Sequence, residues 1–111
     1  MEISKAQENL KSLLSRVAYP RIGTIIGLQE EVGKLSKVIM DIEIYNRELN
    51  KAELDKRCAN VFVAVMDMCN SYDIDLELVI EKRIEEVNSK IKMWESQYGE
   101  ELRNKRERFD E

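Results

Sequence analysis

The stretch GLQEEVGKLSKV, residues 27–38, holds the side chains best spaced to do chemistry. Glu30 and Glu31 are adjacent carboxylates inside an apolar repeat, and Lys34 follows one helical turn later, where a cation site would want a third carboxylate. Residues i and i+3 share a face of a helix, so Glu31 points with Lys34, and on a later helix Arg57 points with Asn60. If those two helices pack antiparallel, the four side chains can converge on one point between them. Four carboxylates at such a point would hold Mg²⁺ and, through it, a polyphosphate, which is a working arrangement for hydrolysing nucleotides.

Other chemistries are excluded by residue type. The chain has no histidine, which removes Ser-His-Asp and Cys-His catalysis, and its two cysteines cannot make a structural zinc site. Cys58 and Cys69 fall 11 residues apart on one helix, about 16 Å along its axis, too far to bridge. They are expected to be reduced core residues, and any metal must be a hard cation held by carboxylates.

The elements that position these residues are helices. In 111 residues, 36% are charged, one is proline and four are glycine, which favours helix over sheet and suits a single domain. Ile3, Ala6, Leu10, Leu13 and Val17 step by three and four, predicting a first helix from Ser4 to Ala18, ended by AYPRIG with its Pro20 and Gly23. Ile25, Leu28, Val32, Leu35, Ile39 and Ile42 mark a second, with Val38 and Tyr45 broadening its apolar face. Asn50 and Glu53 read as a capping box opening a third helix, lined by Leu54, Cys58, Val61, Val65, Met68 and Tyr72, with Phe62, Met66 and Cys69 beside them. Asp75 can cap a fourth, which carries Leu76, Ile80, Ile84, Val87, Ile91, Trp94 and Tyr98. Four amphipathic helices with short connections indicate an all-α four-helix bundle over residues 1–99. Residues 100–111 are a charged C-terminal extension, either solvated helix or frayed. Trp94 and Tyr98 lie far along the last helix: either helices of two chains share a core there, or Trp94 closes one end of a monomer's core.

Charge and hydropathy constrain the partners. The net charge is −4, with 18 basic and 22 acidic residues intermixed, so no stripe is set aside for nucleic acid. No signal-peptide pattern and no bilayer-length apolar run occur, so a cytoplasmic protein with no membrane partner is expected. A domain of this size leaves much apolar surface exposed, which favours a homo-oligomer, dimer or tetramer.

The order GLQEEVGKLSKV followed by CANVFVAVMDMCNSYDIDLELVIEKRIEEV resembles the MazG-type all-alpha nucleoside triphosphate pyrophosphohydrolases, over roughly residues 24 to 92. EEVG and the IDL before the last helix match most closely. The resemblance implies a bundle that converts a nucleoside triphosphate to the monophosphate and pyrophosphate, with Mg²⁺ held by EExxE on one helix and ExxD on the next. The departures fall on the ligands: the four positions read Glu31, Lys34, Arg57 and Asn60, one anion, two cations and an amide, with a formal sum of +1, or zero once Glu30 is added. An ammonium and a guanidinium repel a divalent cation by several kcal/mol, on the order of the effect at contact distance in a partly buried site. A catalytically degenerate relative is therefore expected, with no cofactor, acting as a nucleotide-binding or assembly module.

The residues leave several roles open. Lys34 or Arg57 can pair with Glu30 or Glu31, replacing a metal bridge between helices by a salt bridge. Alternatively, Lys34 and Arg57 face nucleotide phosphates directly, helped by Arg83 and Lys90, which fall where the family often carries basic residues and are otherwise plain surface charge. An active enzyme would bind Mg²⁺ through Glu30, Glu31 and a displaced or intersubunit carboxylate, with Asp41, Glu53 and Asp55 as candidates. Asp67 and Asn70 either cap a polar pocket or point to solvent, and Gly33 is expected to mark a close helix approach, as in the family.

Overall fold

A computed structural model of the chain describes residues 2–17 and 19–110. The chain is all-helical, as expected: α1 (Ile3–Leu14), α2 (Ile22–Glu43), α3 (Lys51–Ser71) and α4 (Leu76–Asp110), with no strand among the described residues. It divides after Glu77 into two compact units, the first holding α1, α2, α3 and the start of α4, the second the remainder of α4.

Within the first unit, α3 is the central element, with α2 and α1 both packed on it. The α2–α3 connection fixes their relative direction. Tyr45 N–H donates to the Met40 carbonyl at 3.3 Å, Arg47 N–H donates to the Asp41 carbonyl at 2.9 Å, and Asn46 adopts a left-handed φ of 53°. The chain has thus folded back on the end of α2, and the three residues left before α3 cannot climb the roughly 30 Å that a parallel return would need. The hairpin is antiparallel. Lys34 and Asn60 then stand at one level, since 34 lies nine residues before Glu43 and 60 nine after Lys51. Asn50 caps α3 as its sequence implies, accepting from Glu53 N–H at 3.1 Å.

The first helix is shorter than its apolar stripe. It stops at Leu14, and Val17 lies beyond it; Ala18, the predicted end, is outside the described residues. Pro20 keeps the helix from running on into α2, because its ring would meet the carbonyl of Arg16 there. Before that point the Ser15 hydroxyl donates to Ser12 O at 2.6 Å, and the N–H groups of Arg16 and Val17 turn to Leu13 and Leu14 in three-residue steps. Gly23, expected in the connection, lies instead in the first turn of α2, where a Cβ would sit 3.0 Å from the Tyr19 ring; a bare Cα lets that ring lie against the helix. Tyr45 falls after α2 and is exposed, so it adds nothing to the helical face.

Little is buried. Among the described residues the buried hydrophobics are Met66, Cys69 and Leu76, at 5%, 4% and 7% exposure. Cys69 is a core residue, and burial pushes its thiol up, but Cys58 is exposed on α3, a correction to its expected core position. Cys58 precedes the stretch of α3 that α1 covers, and its stripe neighbours Leu54 and Val61 are themselves only half-buried. Both thiols are free. A Cβ at Gly33 would meet nothing within 4 Å, so this glycine does not mark a close approach inside the chain. Gly33→Ala is accordingly expected to stabilise by about 1 kcal/mol in urea denaturation, the helix-propensity difference with no steric cost against it. In the second unit α4 runs unbroken through Gly99 to Asp110, so the charged extension is helical. Trp94 is 47% exposed. No helix is long and apolar enough to cross a membrane.

Candidate functional site

Glu30, Glu31 and Lys34 lie on α2, and Arg57 and Asn60 on α3. Glu31, Arg57 and Asn60 are half-buried, while Glu30 and Lys34 are exposed. The one contact joining members of this set is Lys34 Nζ to Glu31 Oε1, at 3.7 Å and spaced i,i+3. The expected ion pair therefore forms within α2 and does not bridge the helices. With Lys34 about half exposed, it contributes at most about 1 kcal/mol. The other oxygen, Glu31 Oε2, is buried and accepts from nothing among the described residues. A buried acceptor left without a donor costs roughly 1–3 kcal/mol, so this position is poorly served by the single chain. Arg57 makes no hydrogen bond or ion pair to another described residue.

Mg²⁺ does not fit this donor set. The side chains at the four expected ligand positions sum to +1, and no group of three His, Cys, Asp or Glu able to share a cation occurs among the described residues. The alternative carboxylates are committed elsewhere. Asp41 is held by Lys37 at 3.2 Å and Arg47 at 3.6 Å, and Asp55 pairs with Lys51. Asp41 and Glu53 do share a small cleft of about 90 Å³ beside the hairpin turn, but Arg47 lines it with them. Arg83 and Lys90 are exposed on α4 in the second unit, with Arg83 paired to Glu86 on its own helix.

The best-organised polar site in the first unit centres on a residue the sequence does not advertise. Gln7, 7% exposed, donates through Nε2 to Asn70 Oδ1 at 3.1 Å and to the Ile74 carbonyl at 2.9 Å, and its Oε1 accepts from Leu76 N–H at 2.9 Å. Asn70 returns the contact, donating from Nδ2 to the Gln7 carbonyl at 3.0 Å. One amide thereby ties α1 to the end of α3 and serves an otherwise unmatched N–H in the first turn of α4. Glu77 works in the opposite direction, accepting from Ile3 N–H at 3.0 Å and the Ser4 hydroxyl at 3.2 Å at the positive end of α1. The available signal was a polar residue on the apolar stripe, since Gln7 is i+4 from Ile3 and i−3 from Leu10. Of the two residues left open above, Asn70 lines a cleft beside Gln7 and is not turned to solvent.

Asp67 accepts a hydrogen bond from the Tyr19 hydroxyl and lines, with Lys11, Leu14, Thr24 and Asn70, an open cleft of about 360 Å³. That bond holds the Tyr19 proton, and burial and the Asp67 charge add to it, so the phenol is pushed up to about 12. The folded state then keeps a proton that the unfolded chain loses from about pH 10. The stability this contributes is complete below pH 10 and is lost as pH rises through about 12. Ultraviolet titration of tyrosinate is expected to show the Tyr19 phenol ionising late, moved earlier by Asp67→Asn. Across α3, the Arg21 guanidinium lies 5.1 Å from the centre of the Tyr72 ring, a cation–π contact that helps hold the start of α2.

No family model, curated protein or solved structure matches this chain.

Proposed function

We propose that this chain is a MazG-like helical module that has exchanged metal-dependent nucleotide hydrolysis for assembly, and that its working form is a homo-oligomer. One observation carries this reading. The packed helices of the first unit leave large apolar side chains in water. Ile25, Val32, Ile39 and Met40 on α2 and Phe62 and Val63 on α3 are all substantially exposed, and exposed apolar surface of this kind is what an interface between copies covers. The charge reversal at Lys34 and Arg57 supports the loss of hydrolysis, because these residues repel the cation that the implied reaction needs.

A second reading is favoured by Arg57, which is half-buried and spent on no carboxylate. A guanidinium in that condition suits a phosphate, so the module binds a nucleotide without metal, through Arg57 with Lys34 beside it. Calorimetric titration with nucleoside triphosphates, with and without Mg²⁺, alongside an assay of released pyrophosphate, separates the two. The assembly reading expects no pyrophosphate and a thermal midpoint that rises with protein concentration. Magnesium-dependent pyrophosphate release would overturn it, and metal-free binding abolished by Arg57→Ala would establish the second reading.

A further inference from the structure

We infer that α4 is a self-pairing coiled-coil strand, and that two copies of this chain associate through it parallel and in register. Ile80, Ile84, Val87, Ile91, Trp94 and Tyr98 are spaced 4, 3, 4, 3, 4, which is a heptad seam with Ile84, Ile91 and Tyr98 at a and Ile80, Val87 and Trp94 at d. All six are on one continuous helix. Among the described residues the stripe is in water: Ile80 is half-buried, from Ile84 to Tyr98 the seam residues are between 43% and 55% exposed, and no residue from Leu78 to Asp110 is buried. An unaccompanied helix with an apolar stripe about 27 Å long is unstable in water and finds a matching stripe. This inference rests on the assembly reading above and specifies which surface does the assembling.

The flanking charges identify the occupant as a second copy and fix its direction. In this register the g positions are basic or neutral, Arg83, Lys90 and Gln97, while Glu81 and Glu95 stand at e with Asn88 between them. Parallel, in-register strands set each g residue against the e residue five positions on in the other strand. Lys90 then faces Glu95 twice by symmetry, Arg83 faces Asn88, and no like charges meet. Antiparallel pairing sets g against g and e against e, bringing Arg83 and Lys90 against each other and Glu81 against Glu95. The seam is therefore complementary to itself in one direction only. The mass then counts the copies, and cross-linking reads their direction.

The test uses the full chain with Cys58→Ser, which removes the exposed thiol and leaves buried Cys69. Val87→Cys places a thiol at a d position, and Ser89→Cys places one on the opposite face of α4. Under mild oxidation, a parallel in-register seam gives a disulfide-linked pair from Val87→Cys and none from Ser89→Cys. Glu95→Lys is expected to weaken association at least tenfold at low salt, and adding Lys90→Glu to it to restore it, a result that a misfolded cysteine variant cannot mimic. A wild-type mass above 13.0 kDa with no Val87 cross-link and no charge effect would overturn the seam while leaving the assembly reading intact. A wild-type mass of 13.0 kDa at all concentrations would overturn both.

Discussion

Gln7→Ala is expected to lower the free energy of unfolding by about 3 kcal/mol, measured by urea denaturation at fixed protein concentration. The substitution deletes few atoms, so the cost comes from what it strands. Asn70 Oδ1, the Ile74 carbonyl and the Leu76 N–H each lose their partner in a region where Gln7 and Leu76 are buried. Stranded polar groups cost roughly 1–3 kcal/mol each, reduced here because two of the three bonds are only partly buried. The Asn70 bond to the Gln7 backbone carbonyl survives the change. Because the amide joins α1, α3 and the start of α4, the loss is expected in the cooperative transition of the whole first unit. A loss below about 1 kcal/mol would mean that water replaces the amide and that α1 is held by its apolar contacts alone.

The second large effect is a gain. The triple variant Lys34→Glu, Arg57→Glu, Asn60→Asp changes the four implied ligand positions from a formal sum of +1 to −4. In the presence of a chelator, four carboxylates across the α2–α3 pair repel one another, and the variant is expected to be less stable than the wild type. Mg²⁺ converts that repulsion into ligation. At a hundredfold excess over its dissociation constant the cation stabilises by about 2.7 kcal/mol, which raises the melting midpoint by on the order of 10 °C for a chain of this size. The wild type is expected to show no such rise. A triple variant indifferent to Mg²⁺ would mean that these side chains do not converge, and the MazG resemblance would lose its chemical content.

The elements were legible in the sequence wherever one physical signal dominated. Apolar steps of three and four placed all four helices, and the Asn50 and Glu53 spacing located a cap that the structure contains. Errors arose where a local signal competed with a non-local one. The stripe reaching Val17 predicted helix, but the Arg16 and Val17 N–H groups turn to Leu13 and Leu14 in three-residue steps, so the regular helix ends before the stripe does. Gly33 was read as a packing contact, yet nothing in the chain approaches it; Cys58 sits on an apolar stripe, yet no element covers it. Both misreadings assumed that an apolar face must be buried by its own chain. At the candidate site, charge was legible because formal charges follow from residue types alone. The Gln7 and Asn70 exchange was not, since it depends on bringing residues 63 apart in sequence to within 3.1 Å.

Sedimentation equilibrium of the wild-type chain across a range of micromolar concentrations tests most directly whether this is an assembly module. With exposed apolar side chains on α2 and α3 and an exposed seam on α4, the expected mass is at least twice 13.0 kDa, falling toward the single-chain value only on dilution. A mass of 13.0 kDa at every concentration would contradict it, because the chain would then be stable with its apolar stripes in water.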